Sequence, residues 1–262
     1  MLPQDRHHTT IRAMRALRTR FGKDIVAEFL PPRRRSQNVI ILCGGMPGYP
    51  SAKFPLLDFF SKKGYWVFSP RYRGSWESGG RFLRISPDRD VIAVIDQLPL
   101  GFKDLWNNKT YRVKPDKIYL IGGSFGGPAV ILSSRDARIT KAIAISPVVD
   151  FRVRSKVDPI DWLGKFVKEA FGEGYRYSMK DWNKLKNGRF YNPVAYSDDL
   201  DGKKLFIIHA KDDDVVAWKP VQKFARRVGS QLMLLRSGGH LSMPLIVKPR
   251  FYKRIHKFLK SK

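Results

Sequence analysis

Seven short apolar stretches, separated by amphipathic or polar segments, set the limits on what this chain can fold into. They read DIVAEFL (24–30), NVIILC (38–43), YWVFS (65–69), KIYLIG (117–122), KAIAIS (141–146), KLFIIH (204–209) and QLMLLR (231–236). Several are apolar throughout rather than at alternate positions, as strands buried on both faces of a parallel sheet are. Helical signals lie between them. In SPDRDVIAVIDQL, Ser86 can cap, Pro87 takes the first helical position, Asp88 and Asp90 complement the helix dipole, and Val91, Ile95 and Leu98 form one apolar stripe. KPVQKFARRVG turns Val221, Phe224 and Val228 inward and ends on Gly229 as a cap. Strand alternating with helix over the whole length predicts an α/β fold with a mostly parallel central sheet flanked by helices.

The alternation breaks between 151 and 199, where DWLGKFVKEAF and SMKDWNKLKNG follow each other without a strand. This segment is expected to be a small helical cap inserted into one domain spanning 1–262, a length suited to a single core. The terminal RFYKRIHKFLK sets Phe251, Tyr252, Ile255, Phe258 and Leu259 on one face and its cations on the other. A helix of that pattern suits a membrane surface, but docking on the sheet is the expectation here.

Lys and Arg number 50 against 23 Asp and Glu, a formal charge of +27, spread along the chain rather than gathered in an arm. Such a surface implies non-specific contact with polyanions. It also supports an alternative in which the chain is a non-catalytic or moonlighting binder of nucleic acid or an anionic membrane surface. The one cysteine, Cys43, cannot form an internal disulfide, and no Cys/His cluster suggests zinc, so a reducing cytoplasm is the expected location. No apolar run reaches the ~18 residues that span a bilayer. The N-terminal MLPQDRHHTTIRAMRALRTRFGK lacks the apolar core of a secretory signal, and for all its arginines it lacks the serines of a transit peptide.

Function concentrates in IYLIGGSFGGPAVIL (118–132), where Gly122, Gly123, Gly126 and Gly127 surround Ser124. Glycine inside a strand or helix costs up to about 1 kcal/mol relative to alanine, so something must pass close to this backbone. A G-x-S-x-G turn between strand and helix fits a nucleophile elbow, in which the serine hydroxyl is pushed clear of the sheet. A phosphate-binding turn at a helix N-terminus is the competing reading. A serine nucleophile needs a base, itself held by an acid. Of five histidines, His7 and His8 precede the sheet, His256 lies among lysines and His209 ends a strand; only His240, in RSGGHLSMP, occupies a glycine-flanked loop after a late strand. FIIHAKDDDVVAW supplies Asp212, Asp213 and Asp214 directly after a strand, so the chain order is Ser, Asp, His.

Four pieces together, RYRGS (71–75), GGSFGG (122–127), HAKDDDVV (209–216) and GGH (238–240), resemble the α/β-hydrolase fold and, within it, the catalytic domain of the prolyl oligopeptidase family of serine peptidases. The resemblance runs from about residue 38 to the C-terminus. Too few residues precede it for the family's β-propeller, which is therefore not expected. In that family the third piece reads His-Gly-x-x-Asp-Asp-x-Val with its first aspartate catalytic, which implies Asp213 as the acid. The chain departs from the family where a tyrosine would open the loop CGGMPGYP: Cys43 stands there, and a thiol is a poor donor. An oxyanion hole would then use backbone N–H groups, from Phe125 and from Gly45 or Met46.

The expectation is a serine hydrolase, an esterase or peptidase, that acts on a small ester or short peptide without metal or organic cofactor. Trp76, Trp162, Phe166 and Trp182 are the aromatic side chains that could line its substrate pocket, although their simply burying the cap against the body is the stronger expectation.

Overall fold

The computed structural model describes residues 15–155 and 157–261; His7, His8 and most of the basic N-terminal stretch lie outside the described residues. Along the chain run β1 (Leu17–Phe21), β2 (Ile25–Leu30), β3 (Val39–Cys43), α1 (Phe54–Lys62), β4 (Trp66–Pro70), α2 (Asp88–Gln97), the short β5 (Phe102–Lys103) and β6 (Thr110–Tyr111), β7 (Ile118–Gly123), α3 (Gly126–Ser133) and β8 (Ile139–Ile145). Then come α4 (Ile160–Phe171), α5 (Met179–Asn183), β9 (Leu205–Ala210), α6 (Trp218–Val228), β10 (Gln231–Leu235) and α7 (Pro249–Lys260).

One eight-stranded sheet has the order β1-β2-β4-β3-β7-β8-β9-β10. From β4 to β10 every neighbouring pair is parallel, while β1 and β2 join antiparallel at one edge. Parallel strands need cover on both faces, and the core divides accordingly. Leu120 of β7 packs into the layer that holds α2, α3 and α6; Tyr119 and Ile121 point the other way, into the layer of α1 and α7. All seven apolar stretches are strands, and β3, β7 and β9 are buried at every residue.

Two local readings need correction. The sheet begins before residue 24: LRTRF forms β1, joined to β2 through Gly22 at φ 56, with Thr19 and Phe21 buried and Arg20 exposed. Arg18 of that strand lies 3.3 Å from Glu77 and 3.5 Å from Glu28. Ser86 does not cap α2, because its hydroxyl turns to the Asp88 carboxylate instead of a helix N–H. The end of α6 follows its signal, with Gly229 left-handed at φ 68.

The last helix docks on the sheet, burying Phe251, Ile255, Phe258 and Leu259. At roughly 1.5–3 kcal/mol per buried apolar side chain, that face is committed to the core.

Between β8 and β9 the chain passes through α4 and α5 without entering the sheet. Trp182 is the centre of this segment: fully buried, it donates from Nε1 to Ile160 O at 2.8 Å and packs on Tyr177 at 5.1 Å. Gly164 of α4 lets the helix approach it, since a Cβ there would stand 2.5 Å from the indole nitrogen. The segment is tied to the body by Tyr191, whose hydroxyl donates to Phe125 O at 2.6 Å. Among the described residues no helix is long and apolar enough to cross a membrane.

Candidate active site

Ser124 stands between β7 and α3 at φ 52, a left-handed conformation that serine adopts only under constraint. Its N–H donates to Ile145 O at 2.8 Å and its carbonyl accepts from Gly127 N at 2.9 Å. The glycines are explained by contact between backbones. A Cβ on Gly122 would lie 2.2 Å from Gly126 O, and one on Gly126 would lie 2.2 Å from Cys43 O.

After β9 the chain turns through Asp213, which is only 7% exposed. Its Oδ1 accepts from Val215 N at 3.1 Å and Val216 N at 2.8 Å, and its Oδ2 lies 2.9 Å from His240 Nδ1. Burial alone would raise the pKa of this carboxyl, but the hydrogen bonds from His240 and the Val216 N–H hold it below the usual carboxylate range. The neighbouring aspartates do other things. Asp212 accepts from Gly238 N and Gly239 N, each at 3.0 Å, and so fastens the loop that carries His240. Asp214 is exposed.

His209, fully buried at the end of β9, donates from Nε2 to Val216 O at 2.9 Å and lies 3.5 Å from Asp213 Oδ2. Burial lowers its pKa, which keeps the ring neutral as a brace for the Asp213 turn. Sequence elimination set His209 aside as a base without finding this task.

Ser124 and His240 line the same cleft, of about 1040 Å3, whereas Ser124 Oγ has no hydrogen-bond partner among the described residues. Pairs of this kind commonly close to hydrogen-bond distance only around a substrate. Ser124 also lines a second cleft, of about 800 Å3.

The loop after β3 passes over the serine, and a Cβ on Gly45 would stand 3.3 Å from Ser124 Cβ. Among the described residues the N–H groups of Gly45, Met46 and Phe125 donate to no protein acceptor. Both ends of the loop are held: Tyr72 donates to Gly44 O at 3.1 Å, Trp76 Nε1 donates to Gly48 O at 3.0 Å, and Gly48 N donates to the Tyr175 hydroxyl at 3.1 Å. Cys43 is fully buried, and that burial pushes its thiol up to about 12, so it is no nucleophile at neutral pH.

None of the four pocket aromatics lines either cleft beside Ser124. Trp182 is in the core of the inserted segment, and Trp76 is engaged with Gly48. Trp162 and Phe166 stack on each other at 5.0 Å on the outer face of α4, 49% and 38% exposed. The second cleft is lined instead by Val149, Phe151, Ile160, Leu163, Val216 and Val221. Their only sequence signal is apolar character directly after β8 and β9. No group of three His, Cys, Asp or Glu residues among the described residues could hold a metal.

A mostly parallel sheet, flanked by helices and carrying a serine on a strained turn after a central strand, defines an α/β hydrolase. The chain belongs to the prolyl oligopeptidase family, whose pattern matches residues 53–262, and it is a serine hydrolase. No curated protein sequence is similar enough to count as a match. Among solved structures, an esterase of Pyrococcus furiosus superposes with a TM-score of 0.67 at 21% identity, over 94% of this chain and 88% of the esterase. An α/β hydrolase of a Penicillium species gives 0.62 at 16%, over 90% and 93% of the two chains. Pyrococcus horikoshii acylaminoacyl peptidase gives 0.61 at 16%, over 93% of this chain but only 40% of the peptidase.

Proposed function

We propose that the protein hydrolyses esters or short peptide and amide bonds through an acyl-enzyme on Ser124, with His240 as base and Asp213 as the group that holds it. The observation that carries this is the buried Asp213 carboxylate at 2.9 Å from His240 Nδ1, because it fixes the tautomer that leaves Nε2 free on a ring lining the cleft shared with Ser124. Ser124 Oγ attacks the carbonyl carbon and gives its proton to His240. The oxyanion that forms is held by Phe125 N–H and by Gly45 or Met46 N–H, worth a factor of about 10²–10³ in turnover per donor. His240 then protonates the leaving oxygen or nitrogen as its bond to carbon breaks. Water, deprotonated by His240, attacks the acyl carbon and releases Ser124.

A fluorescent fluorophosphonate is expected to label the wild-type protein at neutral pH, and Ser124→Ala and His240→Ala are expected to abolish labelling. A folded wild-type protein that stays unlabelled would overturn the reading.

The hydroxyl of Tyr175 is expected to matter through Gly48 rather than through substrate. Tyr175→Phe keeps the ring against Phe82 and Phe171 but removes the acceptor of Gly48 N, leaving the far end of the loop held by Trp76 alone. Turnover of a short-chain ester should fall by roughly tenfold, the worth of about one hydrogen bond to a positioned group, with little change in KM. A changed KM with kcat intact would place Tyr175 against the substrate instead.

A further inference from the structure

Among the described residues three charged side chains in the clefts beside Ser124 have no ion-pair or hydrogen-bond partner for their charged ends: Arg154, which is exposed, and Asp158 and Lys53, which are half-buried. Asp158 lines both clefts and shares that position with Met46, Ser124 and Val215, so it stands at the waist where the scissile group must lie. The other acid lining these clefts, Asp150, is taken by Arg152 at 2.9 Å and Asn192 at 3.2 Å. Lys53 lines the His240-side cleft together with a smaller cavity of about 450 Å3 that contains Glu28 and Arg71. Its ammonium rests on the loop, 3.1 Å from where a Cβ on Gly44 would be. Glu28 does not pair with it, being held by Arg71 at 2.9 Å.

The charges have a geometric order. An acyl group attached to Ser124 places its side chain in the apolar cleft of Phe151 and Leu163, which leaves the remaining substituent of its α-carbon facing the waist and Asp158. The leaving group lies in the cleft where His240 protonates it, and that cleft contains Lys53. A charge withdrawn from water is costly unless it is paired, so the substrate that suits both sites carries a cation beside the scissile carbonyl and an anion on the leaving group. Burial pulls the pKa of Lys53 below the usual lysine value, with Glu28 opposing; a carboxylate beside it would restore the ammonium.

We infer that the substrates are short peptides with both termini free, in the smallest form a dipeptide with an apolar first residue, the α-ammonium bound by Asp158 and the terminal carboxylate by Lys53. This rests on the acyl-enzyme reading above. The carbon–nitrogen bond breaks as Ser124 Oγ bonds the carbonyl carbon, the serine proton passes through His240 to the leaving nitrogen, and water yields two amino acids.

The test compares kcat/KM for Leu-Ala, N-acetyl-Leu-Ala, Leu-Ala amide and the doubly blocked peptide in the wild-type protein, Asp158→Asn and Lys53→Met. Each blocked end should cost the wild type about 10- to 100-fold, the range of a hydrogen bond to a charged group. Asp158→Asn should bring the ratio between free and acetylated peptides close to one while the ratio for the carboxylate end persists; Lys53→Met should do the reverse. A doubly blocked peptide turned over as well as Leu-Ala overturns the inference, as does a variant that lowers all four peptides by one factor, which would mark a purely structural role. Absence of peptide turnover with a p-nitrophenyl ester still hydrolysed also overturns it and leaves the serine hydrolase intact. Loss of ester turnover and of fluorophosphonate labelling in the wild type would instead remove the acyl-enzyme reading beneath it.

Discussion

Gly126→Ala is expected to leave the protein unable to hold its folded state. The added Cβ would meet Cys43 O at 2.2 Å, Gly44 O at 2.6 Å and Cys43 C at 2.7 Å, and all three are backbone atoms, so no side chain can swing aside. Relief requires α3 to withdraw from β3, and α3 is buried along its whole length. The cost should reach about 4 kcal/mol or more, the range reserved for changes that force a core apart, against a total stability of about 5–15 kcal/mol for a typical domain. Gly229→Ala is the control. That glycine is left-handed at φ 68 with nothing within 4 Å of an added Cβ, so only backbone strain of roughly 1–2 kcal/mol applies. Denaturation midpoints of the two variants should therefore differ widely. Equal shifts would show that conformational freedom, not close approach, is what the elbow glycines supply. Should Gly126→Ala fold, its displaced Gly44 carbonyl would carry the next N–H groups away from Ser124, and ester turnover would fall with stability.

What was legible in the sequence follows from how local each signal is. β3, β7 and β9 announce themselves because both faces are covered and no position needs a polar residue. β1 does not: Arg18 and Arg20 interrupt an edge strand whose pairing partner lies across Gly22, and its apolar positions are too few to stand out. Ser124 was legible because the elbow imposes glycine on its own neighbours. The family resemblance picked Asp213 from among Asp212, Asp213 and Asp214, whereas the residues alone did not, since neighbours in one turn point to His240, to the loop beneath it and to solvent. The role of the four aromatics stayed open in the sequence for a related reason. The periodicity of α4 marks Trp162 and Phe166 as apolar, but the partner that fixes which side faces the body is Trp182, buried against Gly164. Tyr175 and Gly48 are separated by 127 positions, and neither residue type hints at the other. Asp158 and Lys53 were invisible because their distinction is the lack of a partner among the described residues, a property that sequence does not carry.

With Asp213 holding the base as proposed, Asp213→Asn should lower turnover by about ten-thousand-fold while leaving the fold almost as stable as before. Asparagine has the same shape, and its carbonyl oxygen can occupy the Oδ1 position to accept from Val215 N and Val216 N. Its amide nitrogen then falls where Oδ2 lies, 2.9 Å from His240 Nδ1 and 3.5 Å from His209 Nε2. His209 already donates to Val216 O, so it cannot turn its nitrogen into an acceptor for the new donor. His240 can, by becoming the tautomer that carries its proton on Nε2; keeping the proton on Nδ1 would leave it the Oδ1 site at 3.1 Å as acceptor while its hydrogen crowds the amide N–H groups 2.9 Å away, and a protonated Nε2 has no lone pair with which to take a serine proton. The reverse flip would set the amide nitrogen against two backbone N–H groups and lose both hydrogen bonds, at about 1–3 kcal/mol for each buried donor left unpaired. The amide is thus driven into the orientation that disables the base. Asp212→Asn keeps an acceptor for Gly238 or Gly239 and should cost less than tenfold, about the worth of one weakened hydrogen bond. Asp214→Asn alters only an exposed side chain. Single-turnover rates with a short-chain ester separate the three variants. A larger loss at position 212 than at 213 would mean that the His240 loop is only fastened, and not activated, by this turn.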